Sequence, residues 1–399
     1  MTKRDGAAKK ISCKSKRRYR NKNITSNRTL YGKYTKPLRH VGIEEIAKVT
    51  GVDEYSKKLN LPAHLLTMVH FVIEDCKSLT ELCGSLKGKH GKTHGLSSIT
   101  KGQLSTVNRN RDYRVFVWIF SELLYQVIHR YHALKRVSKE LLVAGIDATS
   151  IIFKAQFSTF GYCASTKTIE QGIKIHLGAV LGKFTIPITA MITPMNVSDS
   201  NEFDNILTDM GLFVDLHKVI LVFDKGYWCY QRFKDLSIKG IRFIVPMKKG
   251  AKCKVLSEKK TKKIYSDMKN IEFDDMPGMV FRLVITHTKE EEDLEYLTNI
   301  FFDLTPEQIK ECYESRWDME VLNKELKSNL KIENFIGESL NAVLIQIFCT
   351  LITYLLIALF RITYNSLLPV LEIKRLLRYY GIYTVKKVRE LNPKSVTIS

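Results

Sequence analysis

The chain has 399 residues, 45% hydrophobic and 26% charged, with 63 Lys and Arg against 41 Asp and Glu and a formal net charge of +22. That much apolar material excludes wholesale disorder and supports a sizeable core spread over two or three domains. Eight cysteines scattered without CxxC pairs exclude a disulfide framework and point to a reducing, intracellular setting.

The charge is unevenly placed. Residues 1–40 hold 14 Lys/Arg and one acid (Asp5), residues 248–269 hold nine Lys and two acids (Glu258, Asp267), and residues 365–399 hold seven Lys/Arg and two Glu. These stretches carry +13, +7 and +5, which leaves the remainder near −3. Basic segments on a nearly neutral scaffold require a polyanionic partner, either nucleic acid or an anionic membrane surface.

In chain order, residues 1–40 read as a basic flexible arm and residues 41–138 as a helical DNA-binding region. Leu65, Leu66, Val69, Val72 and Ile73 recur at helical spacing, and Leu79, Leu82 and Leu86 continue a second helix. Thr100-x-x-Gln103 has the form of a capping box opening a short polar helix through Arg111. That helix, with Arg109 and Arg111 as possible DNA contacts, suits either a helix-turn-helix-like reader or a solvated helix face. Cys76, Cys83, His90 and His94 fall close together, but their Cys-to-Cys gap exceeds the usual zinc spacing, so no zinc site is expected.

From Lys139 the period changes. Leu141–Ile146, Ile173–Val180, Phe184–Thr193, Val219–Phe223 and Phe243–Val245 read as strands, with helices near 201–210 and 230–237. This predicts an α/β core over residues 139–247 and 298–365, interrupted by a Lys-rich insertion at 248–297. The insertion reads as an extended hairpin with a strand at Val280–Thr286, and Lys248 and Lys249 at its start are further possible DNA contacts. Thr305-x-x-Gln308 is a second capping box, opening a helix through Leu326. Ala342–Phe360 is 19 residues without a formal charge, long enough to cross a bilayer. Gln346, Thr350, Thr353 and Tyr354 make one polar stripe on it, which predicts a packed core helix with a wetter edge rather than a span. Residues 366–399 read as a basic tail.

Two acids stand at the ends of apolar runs: Asp147 in Gly145-Ile-Asp-Ala-Thr-Ser150 and Asp224 in Val222-Phe-Asp-Lys-Gly-Tyr-Trp228. Strand ends are where α/β folds present catalytic groups, and paired carboxylates in a basic protein suit divalent-metal ligands acting on phosphates. A third, Glu320, lies in Tyr313-Glu-Ser-Arg-Trp-Asp-Met-Glu-Val-Leu-Asn-Lys-Glu-Leu-Lys327. On a helix, Tyr313, Arg316, Glu320 and Lys327 share one face. Taken alone, that face reads as an Arg–Glu ion pair of little energetic weight. Asp199-x-x-Glu202 reads as a helix cap, Glu325 as a solvated residue and His176 as a structural histidine.

These residues resemble the DDE transposases of prokaryotic insertion sequences, the group marked by a Tyr-x2-Arg-x3-Glu-x6-Lys signature on the helix bearing the last acidic ligand. Tyr313, Arg316, Glu320 and Lys327 match that spacing, and the segments around Asp147 and Asp224 resemble the first two acidic motifs. The resemblance covers about residues 60–365. It implies a ribonuclease-H-like mixed-sheet catalytic core with a β-rich insertion, in which Asp147, Asp224 and Glu320 hold two Mg²⁺ or Mn²⁺ ions. Hard oxygen ligands suit such ions. Arg316 and Lys327 would hold DNA phosphates, and Tyr313 would bond a phosphate or pack on a terminal nucleotide. The implied activity is cleavage of double-stranded DNA at terminal inverted repeats and strand transfer into target DNA, by a homodimer in the prokaryotic cytoplasm and without a membrane. A catalytically inactive DNA-binding descendant is the alternative. Pro246 stands where many relatives carry Arg, and the insertion has no Trp, so the sequence leaves open whether the second strand passes through a hairpin.

Overall fold

The computed structural model describes residues 28–56, 58–138, 141–153, 162–164, 169–262, 265–287 and 293–392. The N-terminal region is helical: α1 (Leu30–Tyr34), α2 (Ile43–Thr50), α3 (Leu61–Glu74), α4 (Leu79–Lys87), α5 (Lys89–Thr93), α6 (Lys101–Asn110) and α7 (Arg114–Ser138). Asn60, Ser78 and Thr100 start α3, α4 and α6 by accepting a backbone N–H, and Thr100 with Gln103 forms the reciprocal capping box.

Among the described residues the strands form one ten-stranded sheet. They are β1 (Leu142–Ile152), β2 (Tyr162–Ala164), β3 (Ile169–Val180), β4 (Ile186–Pro194), β5 (Val219–Phe223), β6 (Arg242–Pro246), β7 (Cys253–Lys262), β8 (Tyr265–Phe273), β9 (Val280–Thr286) and β10 (Leu294–Thr298). β4, β3 and β1 run antiparallel to one another, then β5 and β6 join β1 in parallel. The order β4-β3-β1-β5-β6 is that of a ribonuclease-H-like core, as expected. Helix α8 (Phe203–Gly211) precedes β5, and α9 (Tyr230–Ile238) makes the crossover that parallel β5 and β6 require. Every residue of β5 is buried, which is why it reads as an unbroken apolar run.

The insertion is more than a hairpin. β10 pairs with β6, and β9, β8 and β7 follow in antiparallel order, extending the catalytic sheet. It is anchored by Arg282, 1% exposed, whose guanidinium donates to both Asp267 oxygens at 2.8 and 2.9 Å and to the Ile300 and Leu304 carbonyls. That fixes the segment leading into α10 (Pro306–Glu314), which the Thr305–Gln308 capping box opens.

The helix predicted through Leu326 is interrupted. α10 ends at a turn over Ser315 and Arg316, α11 (Trp317–Lys324) resumes, and a π-helical turn, Glu325–Asn329, ends it. α12 (Leu340–Thr363), α13 (Val370–Tyr380) and α14 (Val385–Leu391) follow. Long and apolar enough to cross a membrane, α12 is instead wholly buried over its most apolar stretch. The wetter edge is a correction: Gln346, Thr350, Thr353 and Tyr354 are at most 1% exposed. Their polar atoms are satisfied internally. Gln346 accepts from the Ile336 N–H and donates to the Asn334 carbonyl, Thr350 and Thr353 donate one turn back along the helix, and the Tyr354 hydroxyl donates to Glu325.

The arm and tail also differ from expectation. Residues 1–27 and 393–399 lie outside the described residues. Residues 28–40, by contrast, are packed: Leu30, Tyr31 and Tyr34 are at most 1% exposed, and the Tyr34 hydroxyl donates to the Thr353 carbonyl of α12. The Leu30 and Tyr31 amides donate to the Tyr383 and Gly381 carbonyls, so the start of the described chain is held by its end. α13 is fastened by Lys374, 4% exposed, which donates to Asp75 and to the Asn329 carbonyl.

Because Arg282 and Asp267 are buried together, removing one partner strands the other's charge. Asp267→Ala is expected to cost about 3–5 kcal/mol in urea unfolding, and replacing both residues with apolar ones much less.

Candidate active site

Pairing between β1 and β5 runs from Leu142↔Val219 to Ile146↔Phe223. Asp147 and Asp224 are therefore the next residues on two adjacent parallel strands. β5 ends there: Asp224 turns into the short helical turn Lys225–Tyr227 and accepts the Gly226 N–H at 3.2 Å. β1 does not end. It continues to Ile152, with Asp147 in register with Leu177 of β3, so the strand-end expectation holds for Asp224 and is corrected for Asp147.

Helix α11 brings Glu320 to this edge because Gly145 leaves room for it. A Cβ at position 145 would lie 2.7 Å from the Met319 Cγ and 3.0 Å from Leu181, so only glycine lets Met319 seat against β1 at this depth. Asp318 tethers the same helix by accepting the Gly182 N–H at 2.9 Å. From the next turn Asn323 donates to Asp147 Oδ2 at 2.8 Å. Asn323, Asp318 and Gly145 were missed in the sequence reading, although Asn323 lies three residues from Glu320 and shares its helix face.

Glu320 accepts from Arg316 Nη2 at 2.7 Å, and the Arg316 guanidinium lies 5.9 Å from the Tyr313 ring. The structure thus brings Tyr313, Arg316 and Glu320 together across the turn. Lys327 is set apart: it is partly exposed within the π-helical turn, where the regular helical phase assumed for a shared face is lost. Among the described residues no three His, Cys, Asp or Glu side chains lie close enough to form a ready-made metal cluster. Asp147, Asp224 and Glu320 supply the hard oxygen donors that Mg²⁺ or Mn²⁺ takes, with Glu320 turned toward Arg316.

Electrostatics tie the group together. Burial pushes the Asp147 carboxyl above its ordinary value, Asp199 and Asp224 add repulsion, and the Ala148 amide and Arg316 offset part of it. Tyr227, 3% exposed, has a buried hydroxyl without a hydrogen-bond partner; burial first, then Asp147 and Asp199, raises its pKa. Asp199 is not a cap: its carboxylate pairs with Lys174 at 2.8 Å, and the helical turn Asp199–Glu202 has no side-chain cap. Glu325 is not solvated, since it is part-buried beneath the Tyr354 hydroxyl and burial raises its pKa. His176 is the structural histidine expected, fully buried with Nε2 2.7 Å from Thr193 Oγ1.

The other candidates separate. Arg109, Lys248 and Lys249 are exposed. Arg111 is 6% exposed and donates to Asp53, Ser56 and the Leu59 carbonyl, so it ties the helical region together and has no face for a phosphate. Within the Cys76, Cys83, His90 and His94 group, His90 lies against Glu74 and His94 stacks on Tyr31 at 3.7 Å.

A buried carboxyl with a raised pKa costs the fold nothing while protonated and progressively more as pH rises and it ionises. Asp147→Asn is therefore expected to melt at or above the wild-type temperature in metal-free buffer at neutral pH, and a large fall in melting temperature would contradict this account. Gly145→Val should displace Met319 and lower divalent-cation affinity measured by calorimetry, at a stability cost of about 1–3 kcal/mol.

A family model described as the transposase DDE domain matches residues 139–356, more than half of the chain. A Synechocystis sp. protein named as the transposase of insertion sequence element IS4SA is 26% identical over 175 residues, 42% of this chain and 48% of that protein. The chain thus spans about half the length of that relative. A Sinorhizobium fredii protein named as the transposase y4zB is 25% identical over 316 residues, 74% of this chain and 83% of that one. The cryo-EM structure of the piggyBac transposase synaptic complex with hairpin DNA shares the fold, with a TM-score of 0.50 at 11% identity over 93% of this chain and 84% of that one. With its acidic residues set on a ribonuclease-H-like sheet, the chain belongs to the transposase DDE domain family.

Proposed function

We propose that the chain is a DNA transposase that cleaves double-stranded DNA at the terminal inverted repeats of its element and joins the freed 3′-hydroxyl to target DNA in the prokaryotic cytoplasm. The observation that carries this reading is the register that sets Asp147 beside Asp224, with the Glu320 helix seated on Gly145 beside them. Asp147, Asp224 and Glu320 would hold two Mg²⁺ or Mn²⁺ ions, which when bound activate the attacking oxygen and neutralise the leaving one.

The chain's own side chains do the rest. Asn323 orients Asp147 by donating to its Oδ2. Arg316 meets a phosphate through its guanidinium fork, and in doing so releases Glu320 from their 2.7 Å ion pair. Lys327 adds a point charge from the π-helical turn, and Tyr313 lies against the strand held by Arg316. A homodimer bridging two element ends is part of the proposal, supported by the synaptic complex named for the structural relative.

Asp147→Asn, Asp224→Asn and Glu320→Gln should each reduce Mg²⁺-dependent cleavage of end-bearing DNA about 10³-fold, equivalent to about 4 kcal/mol of transition-state stabilisation. Duplex binding measured by fluorescence anisotropy should persist in each. Wild-type cleavage rates in all three would refute the assignment.

A further inference from the structure

A cleft of about 310 Å³, lined by none of the carboxylates Asp147, Asp224 and Glu320, lies between the helical region and the segment entering α12. First-turn residues of three helices line it: Leu79 of α4, Lys101 of α6 and Ala342 of α12, together with the caps Ser78 and Ser339, which already take the Glu81 and Ala342 N–H groups. The opening N–H groups of a helix lack intrahelical partners and carry the positive end of its dipole, so three such ends on one cleft make it attractive to an anion. Lys77, Lys101 and Arg109 add three cationic side chains against a single carboxylate, Glu338.

Asn108 supplies an independent sign of a ligand. It lines the cleft at 1% exposure, and its Nδ2 has no hydrogen-bond partner. Its Oδ1 is taken by His64 Nε2 at 2.6 Å, and its carbonyl by Asn341 at 3.0 Å. Burial holds the His64 pKa down at about 3, so the ring is neutral. With Oδ1 facing His64, the Asn108 amide has a buried donor left over. An orphaned donor of this kind costs about 1–3 kcal/mol unless an acceptor arrives.

The cleft's far wall is rigid. Gly337 packs so closely that a Cβ there would sit 2.5 Å from the Ala342 Cβ, and Gln346 grips the Ile336 amide and the Asn334 carbonyl on either side of Phe335.

We propose that this cleft is a phosphate-binding site that seats a backbone phosphodiester of duplex DNA, outside the acidic centre. Asn108 Nδ2 and the helix N-termini donate to the non-bridging oxygens, and Lys101 and Arg109 neutralise the charge. The choice of DNA over a free phosphate as the source rests on the transposase reading; the site's preference for phosphate does not.

The test uses the full chain carrying Asp224→Asn, so that binding is read without cleavage. Lys101→Glu/Arg109→Glu reverses two exposed charges, and Asn108→Asp replaces the orphaned donor with an acceptor. Circular dichroism melts establish that each variant is folded. Duplex affinity should fall at least tenfold in the charge-reversed protein, with the slope of log K against log salt shallower by about one per phosphate lost. Inorganic phosphate should bind the parent protein by calorimetry, compete with duplex and bind neither variant. Unchanged duplex affinity and salt slope would overturn the DNA assignment even if inorganic phosphate binds, and absence of phosphate binding by the parent would overturn the site itself. The catalytic reading is judged separately, by Mg²⁺-dependent cleavage with the wild-type chain: failure there with loss of binding here leaves the cleft standing, and the converse leaves the active site standing.

Discussion

The structure depends on the complete burial of one helix. From Ala342 to Phe360 α12 has no solvent face, so every element that touches it is there partly to cover it: α7 and α3 along its length, α6 near its start, α13, α1, and β4 from the catalytic sheet. A 24-residue apolar helix in water must be sheathed or must leave water. Sheathing it requires both the N-terminal helical region and the ribonuclease-H-like sheet. The same helix packs against the π-helical turn that ends α11, so the element carrying Glu320 is braced from behind by the core as well as from the front by Gly145.

The carboxylates are set into this frame at an energetic disadvantage. Asp147 is held where burial disfavours its charge, and Tyr227 keeps a hydroxyl without a partner. Arg316 supplies part of the positive charge that offsets the disadvantage of Asp147. On the proposed function, the Arg316–Glu320 pair would part when a phosphate meets the one and a cation the other.

Much of this was legible in the sequence where the determinants are local. β5 and β9 occupy the predicted residues because a buried strand is simply an apolar run of the right length, and both capping boxes formed because their partners lie three residues apart. What was not legible depended on distant partners. Arg111 looked like a DNA contact because Asp53, which buries it, lies 58 residues away. Asp147 looked like a strand end because apolar character falls there, yet hydrogen bonding to β3 carries β1 on through Ile152. α13 looked like a basic tail because Lys374 finds Asp75 only in three dimensions. The signature helix kept Tyr313, Arg316 and Glu320 together but not its regular phase as far as Lys327, since a π-helical turn leaves no clear mark in composition.

The bridge between Thr29 and Thr384 ties α1 to the loop before α14. During synthesis, α1 emerges first and must wait for some 350 further residues before the carbonyls that receive its amides exist. The Leu30 and Tyr31 amides therefore stay without these partners on the nascent chain while the sheet and α12 assemble, and the segment before α14 completes the contact. A copy truncated after α12 would lose more than α13 and α14, because α1 would also lose the Gly381 and Tyr383 carbonyls that receive its amides.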